Sequence, residues 1–375
     1  MLPRAQGVCR LLAFALAIPL ILAGCDAGTG GQDSTTQLGF DLDNCTIPSN
    51  QLVDGTGGRG RDAIPSLSNP GLTQAGTEGA SYLADSDRVI GLLFGDVPIA
   101  VPHNVLWFHE IINFDGLAGT NLTVTYCPLT GSSLAFDRSA VDGAKFGVSG
   151  LLFNNNLLMY DRRNNESLWP QMNRQANCGT NVGAELDMLP VIEMTWGEWK
   201  ELHPDTKVVS SEETGYAFSY TNSNYPYGAD YEDPENGRLL FDMQIDDRRP
   251  PKERLLGIPA GNDGGMALPF GELSDGPGLR TIEVTAGGQE VVVLWNATAR
   301  GAMAYRPTLD GQSLTFSVED GDIIDDQTGS TWTLDGRAVE GPEAGNRLEP
   351  VGEAYVSFWF AWAAFHPNTR IWTQS

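Results

Sequence analysis

Apolar residues in this chain come in short runs, Val89 to Phe94, Leu122 to Tyr126, Leu151 to Phe153, Leu157 to Tyr160 and Val291 to Trp295, separated by segments containing Gly, Pro or Asn. Runs of this length between turn-forming residues predict β-strands. Two tryptophan pairs depart from the pattern. Trp196 with Trp199, and Trp359 with Trp362, stand at i and i+3 on one helical face. Each pair is followed by a His-Pro step, His203-Pro204 and His366-Pro367, that ends the helix. The expected fold class is therefore β-rich, mainly β with a few short helices.

The pattern also recurs within the chain. Val89-Ile90-Gly91 followed by Ala100-Val101-Pro102 corresponds to Leu255-Leu256-Gly257 followed by Ala267-Leu268-Pro269. Thr123 to Arg138 corresponds to Val292 to Pro307, Phe146-Gly147-Val148 to Phe316-Ser317-Val318, and Ser167-Leu168-Trp169 to Ser330-Thr331-Trp332. Thr195 to Val208 then aligns with Phe358 to Ile371, setting Trp196, Trp199, His203, Pro204 and Thr206 against Trp359, Trp362, His366, Pro367 and Thr369. The offset stays between 163 and 170, at 166 (257 minus 91), 170 (316 minus 146) and 163 (366 minus 203). Matches in one order at a nearly constant offset predict two tandem pseudo-repeated lobes, 88–209 and 254–372, joined by a connection over 210–253, all within a domain spanning 59–375. Residues common to both lobes, including His203 and His366, read as packing or capping groups. Residues present in one lobe only are the candidates for chemistry: Asn296 stands where the first lobe has Cys127, and Phe270 to Leu273 contains no histidine.

The N-terminus has a different character. Arg4 and Arg10 flank the start of an apolar run, Leu11 to Leu22, that is too short to span a bilayer and ends in Leu22-Ala23-Gly24-Cys25. That tetrapeptide resembles the bacterial lipobox, so residues 1–24 are expected to be a signal peptide and Cys25 the lipidated anchor to the membrane. Asp26 after the lipidated cysteine favours, in enterobacterial-type sorting, retention in the inner membrane facing the periplasm. Residues 25–58, rich in Gly, Ser, Thr and Asp and without sustained periodicity, are expected to form a flexible tether, with folding beginning near Asp62-Ala63-Ile64-Pro65.

Charge narrows the partners. The formal net charge is −25, and loss of the leader's two arginines takes it to about −27. Such a surface repels phosphate backbones, which sets nucleic acid aside. With 41% hydrophobic residues the chain can build a substantial core. Beyond the leader and anchor only Cys45, Cys127 and Cys178 remain, an odd number, so one thiol is left over. Cys45 with Cys178 is one of three possible pairings.

The densest chemistry lies between Leu106 and Arg138, where His109 and Glu110 precede Cys127. Three readings follow. Cys127 and His109, with His103 or Met159 added, supply the thiolate, thioether and imidazole ligands that select copper; His109-Glu110-Ile111-Ile112-Asn113 lacks the second histidine of a zincin. Alternatively, Cys127 is a nucleophile with His109 as its base, in a thiol-dependent hydrolase or acyl transferase; Gly147 to Leu151 does not form a serine-nucleophile elbow. The third and preferred reading is a binding scaffold for a small molecule, metal or protein partner rather than an enzyme. Tyr216, Tyr220, Tyr225, Tyr227 and Tyr231, five of the chain's ten tyrosines, would form a binding loop or lid, or else pin a long ordered connection. Asp322, Asp325 and Asp326 do not follow the EF-hand pattern and read as a solvated turn.

In GDVPIAVPHNVLWFHEIIN, TVTYCPLTGSSLAFDR, FGVSGLLFNNNLLMYDRRNNESLWPQ and TWGEWKELHPDTKVVSSEETG the chain resembles the DUF3179 family of uncharacterised secreted bacterial and archaeal proteins, from about Asp62 to the C-terminus. The resemblance implies no established activity. Typical members carry CPLC, whereas this chain has Cys127-Pro128-Leu129-Thr130, so the second thiol of any dithiol chemistry is missing.

Overall fold

The structure is a computed structural model that describes residues 36–93, 97–221, 225–261 and 264–374. The expected signal peptide, Cys25 and Asp26 lie outside the described residues. Strands dominate, and the described α-helices are four short ones: α1 (His103–His109), α2 (Trp196–Leu202), α3 (Phe270–Ser274) and α4 (Trp359–Phe365). Each follows directly from a strand. α2 and α4 stop where Pro204 and Pro367 hold the preceding histidines out of helical geometry, with φ −131° at His203 and −130° at His366.

In the first segment, strand Arg88–Leu92 pairs antiparallel with Val191–Thr195 and with Ile99–Pro102, and the latter pairs parallel with Lys207–Val209. In the second, Arg254–Ile258 pairs antiparallel with Tyr355–Phe358 and with Met266–Pro269, which pairs parallel with Arg370–Ile371. Registers correspond, with Gly91 opposite Ala100 and Gly257 opposite Ala267. Both glycines lie under an indole. A Cβ at Gly91 would come within 2.0 Å of Trp199, and one at Gly257 within 2.2 Å of Trp362. The indole N–H groups donate to Thr206 at 2.8 Å and to Thr369 at 2.9 Å. His203 and His366 lie tilted against these tryptophans, with centroids 4.2 and 3.9 Å apart, so their imidazoles pack against the helix instead of bonding its last carbonyls.

Each segment also has a three-stranded meander, Ile111–Leu117, Thr120–Cys127 and Ser132–Asp137 in the first and Leu279–Ala286, Gln289–Asn296 and Gly301–Tyr305 in the second. A further antiparallel unit follows in both. There Trp169 donates to Asp161 at 2.9 Å and Trp332 to Asp325 at 3.0 Å. Asp325 is thus buried on an indole, not part of a solvated turn; the acid is held by the tryptophan seven residues later, which acidic spacing alone does not register.

The segments are interleaved. Ser133 of the first meander pairs with Val356, which joins that meander to the second segment's sheet in one nine-stranded sheet. Reciprocally, Thr195 N–H donates to Ala299 O at 2.9 Å beside the second meander. The cores are shared accordingly. One packs Ile111, Leu134 and Phe136 against Leu255, Trp359 and Trp362; another packs Val89, Ile192 and Trp199 against Val292, Leu294 and Trp332. Apolar burial, the main stabilising term, therefore runs between segments as much as within them.

Residues 36–58 depart from the expected tether. Phe40, Leu42, Ile47 and Leu52 are buried against Leu151, Leu158 and Leu168, strand Leu52–Asp54 pairs with Phe146–Phe153, and a disulfide joins Cys45 to Cys178. Their apolar residues are spaced irregularly, so they give no periodic signal. A three-residue strand and a covalent link hold the segment instead.

Candidate functional site

His109 closes α1 and is fully buried. Its Nδ1 lies 2.7 Å from the Pro65 carbonyl, which can only accept, so Nδ1 carries the proton. Nε2 lies 2.7 Å from the Tyr220 hydroxyl, which also hydrogen-bonds Thr214 Oγ1 at 3.0 Å. Burial lowers the imidazole's pKa and keeps it neutral. Both ring nitrogens thus have protein partners.

Cys127 ends its strand in a different environment, buried beside Met159 and Trp169 with Sγ 3.9 Å from Asn155 O. Burial pushes its thiol up to about 11, and the neighbouring Glu110 adds to the shift. The titratable group nearest in effect is thus a carboxyl, not His109. Glu110 follows α1 in a left-handed conformation, φ 54°, and burial pushes its own carboxyl up to about 8. A protonated thiol beside an acid is the reverse of an activated nucleophile. Thr130, where the family pattern has its second thiol, shares a 2.8 Å hydrogen bond with Ser132 and accepts from Asn156 at 3.0 Å. Among the described residues, no group of three or more His, Cys, Asp or Glu side chains is placed to hold a metal ion.

The tyrosines of the connection fasten it to the body. Tyr225 and Tyr231 donate to the carbonyls of Pro128 and Leu129 at 2.5 and 2.9 Å, covering the turn after Cys127. Tyr220 is buried on His109, and Tyr227 is half-buried near Tyr231. Tyr216 is exposed and faces the His109 ring at 5.0 Å.

His103 belongs to a third cluster, centred on a residue that the sequence reading did not single out. Glu193, 1% exposed at its side chain, receives Arg88 Nε at 2.5 Å, Arg254 Nη1 at 3.2 Å and the Ser133 hydroxyl at 2.5 Å, with His103 Nε2 at 3.6 Å. Burial opposes its charge, but Arg88, His103 and Arg254 outweigh it and hold the carboxyl down at about 2. His103 stacks on Tyr126 at 3.9 Å, and burial, reinforced by the arginines, drives it down to about 3 despite Glu193. Arg88 and Arg254 are the first residues of corresponding strands, so one arginine from each segment meets one acid. A signal was present: Glu193 interrupts the apolar run Val191-Ile192-Glu193-Met194.

Beside this cluster opens a cleft of about 540 Å³, lined by Arg88, His103 and Trp107 from the first segment, Arg254, Phe270 and Trp295 from the second, and Glu232 and Lys252 from the connection. Glu232 is tied to Arg254 at 2.6 Å and Glu253 to Arg249 at 2.7 Å. The arrangement is a concave site with aromatic walls, fixed charges and a rigid polar floor.

No curated protein and no solved structure matches this chain. Residues 61–369 match the family described as "Protein of unknown function (DUF3179)", and with most of its length inside that match the chain belongs to the family.

Proposed function

We propose that this protein is a membrane-tethered extracytoplasmic binding protein whose two halves are copies of one unit and hold a small ligand in the cleft between them. The observation that carries the reading is the cleft: at about 540 Å³ it has the size of a small-molecule site, and both segments and the connection contribute to its wall. The Glu193 cluster supports it by fixing Arg88, Arg254 and His103 in place, so that the site is formed before a ligand arrives. The duplication is supported by the narrow range of sequence offsets and by the corresponding registers around Gly91 and Gly257. The tether is supported by the Leu11–Leu22 run ending in Leu22-Ala23-Gly24-Cys25.

Two measurements test this. Cys25→Ala is expected to leave the protein unlipidated by intact-mass analysis and out of the membrane fraction. A small-molecule library screened by thermal shift on the full chain in detergent is expected to yield ligands whose effect disappears in Ser274→Trp, an exposed α3 position on the cleft wall. Ligands that stabilise both forms equally would place binding elsewhere.

A further inference from the structure

The charged groups around the cleft are unevenly partnered. Glu232 pairs with Arg254 and Glu253 with Arg249. Asp87 accepts the Ala84 N–H at 3.0 Å and the Asn104 amide at 2.9 Å, and Glu193 is surrounded by Arg88, Arg254 and Ser133. The carboxylates thus have their donors. Two cations on the wall, buried Lys252 and exposed Arg300, form no ion pair among the described residues; the acid that acts on Lys252, Asp230, does so without a direct contact. Lys252 is fully buried, donates to Arg238 O at 2.6 Å and lies 3.2 Å from the Tyr231 ring centroid. Arg300 donates to Ser86 O at 2.7 Å. A buried ammonium with one carbonyl and one ring face for partners is costly unless a counter-charge completes it.

The aromatic wall tells the same way. Trp295, 1% exposed, and Trp107 both line the cleft, and neither indole N–H has an acceptor in the protein. An indole N–H can only donate. Unmatched groups at this wall are therefore cations and donors, set in a chain of net charge −25. Phe270, 4.8 Å from Trp295, adds apolar surface.

Resting on the reading of the cleft as a ligand site, we infer that its ligand is a small organic anion, whose carboxylate or phosphate group is held at Lys252 and Arg300 and whose apolar part lies against Trp107, Phe270 and Trp295. No bond is made or broken. The lysine supplies the buried charge, the arginine a planar fork suited to an oxyanion, and the rings exclude water.

The test is calorimetric titration of the full chain in detergent with phenylacetate, phenyl phosphate, phenethylamine and phenyl glucoside, repeated on Lys252→Met, Arg300→Gln and Ser274→Trp. Either or both anions are expected to bind, the difference between them identifying the head group. Each charge variant is expected to lower that affinity at least tenfold and Ser274→Trp to abolish it, with the folded state of each variant checked by its thermal transition. Binding of phenethylamine or phenyl glucoside, sensitive to Ser274→Trp and without either anion, would overturn the anionic assignment and leave the cleft as the ligand site. Anion binding unchanged in Lys252→Met and Arg300→Gln would overturn it equally. If none of the four probes gives binding that Ser274→Trp removes, the cleft reading and the anionic assignment fall together.

Discussion

The two segments of this chain pair their leading strands in corresponding registers and furnish them differently. Where registers correspond and residues agree, as at Gly91 and Gly257, Trp199 and Trp362, or Asp161 and Asp325, the side chains hold strands and helices together. Where positions correspond and residues differ, the polar chemistry appears. His103 follows Pro102 as Phe270 follows Pro269, and Glu193 precedes α2 at the place Val356 precedes α4. Cys127 and Asn296 differ in another way: Asn296 accepts from the Thr298 and Ala299 N–H groups at 2.9 and 3.1 Å and so ties its own turn, whereas Cys127 is packed in the core. Departure from the shared pattern thus marks either a local structural substitute or a site. Of these departures, His103 and its counterpart Phe270 line the cleft, and Glu193 lies behind it holding Arg88 and Arg254.

The largest effect should come from the shared framework. Trp199→Ala and Trp362→Ala remove corresponding fully buried indoles and should each destabilise by about 3–5 kcal/mol in urea unfolding. A large cost at one and a negligible cost at the other would break the correspondence. Glu193→Ala leaves buried Arg88 without its acid, and Arg254 with Glu232 alone, and should cost a similar amount, about 3–5 kcal/mol. Replacing Glu193, Arg88 and Arg254 together by apolar residues should recover much of it, which tells a broken network from a lost contact.

A smaller effect separates the Cys127 region from the cleft. The Glu110 carboxyl sits at about 8 when folded against an ordinary 4.5, so the folded state holds a proton that the unfolded state releases between those values. Stability therefore falls as pH rises from about 4.5 to 8, and Glu110→Gln should stabilise at pH 9 by about 1–3 kcal/mol while changing little at pH 4. Glu193 has the opposite sign: held at about 2, it contributes stability that is lost as pH falls from 4.5 toward 2. Denaturant melts across pH should show both slopes. The smallest expected effect is on binding. Lys252, with Arg238, Asp230 and Tyr231 around it, is lowered to about 8 by burial, so affinity for an anionic probe should weaken as pH rises through that value. Titrations at pH 7 and pH 9 would show it, and an affinity flat across that range would remove Lys252 from the site.

The β-rich class and the family were legible in the sequence because apolar runs, turn residues and motif strings are local signals. The tryptophan helices were legible through i, i+3 spacing and the His-Pro stops. The cleft was not, because Glu193 meets Arg88 across 105 residues and Arg254 across 61. No window along the chain sees such a pair. Proximity in sequence also misled: His109 and Cys127 lie eighteen residues apart, yet one is saturated by Pro65 and Tyr220 and the other lies in the core with Met159. Residues 36–58 were hidden for a third reason, since a disulfide and scattered apolar anchors hold them without periodicity.

The most direct test of the central claim is a pair of titrations, one on the unaltered full chain and one on Ser274→Trp, with phenyl phosphate and phenylacetate as probes. Binding to the first and none to a folded Ser274→Trp is the predicted result. Equal binding by both proteins would contradict the assignment of the cleft as the ligand site.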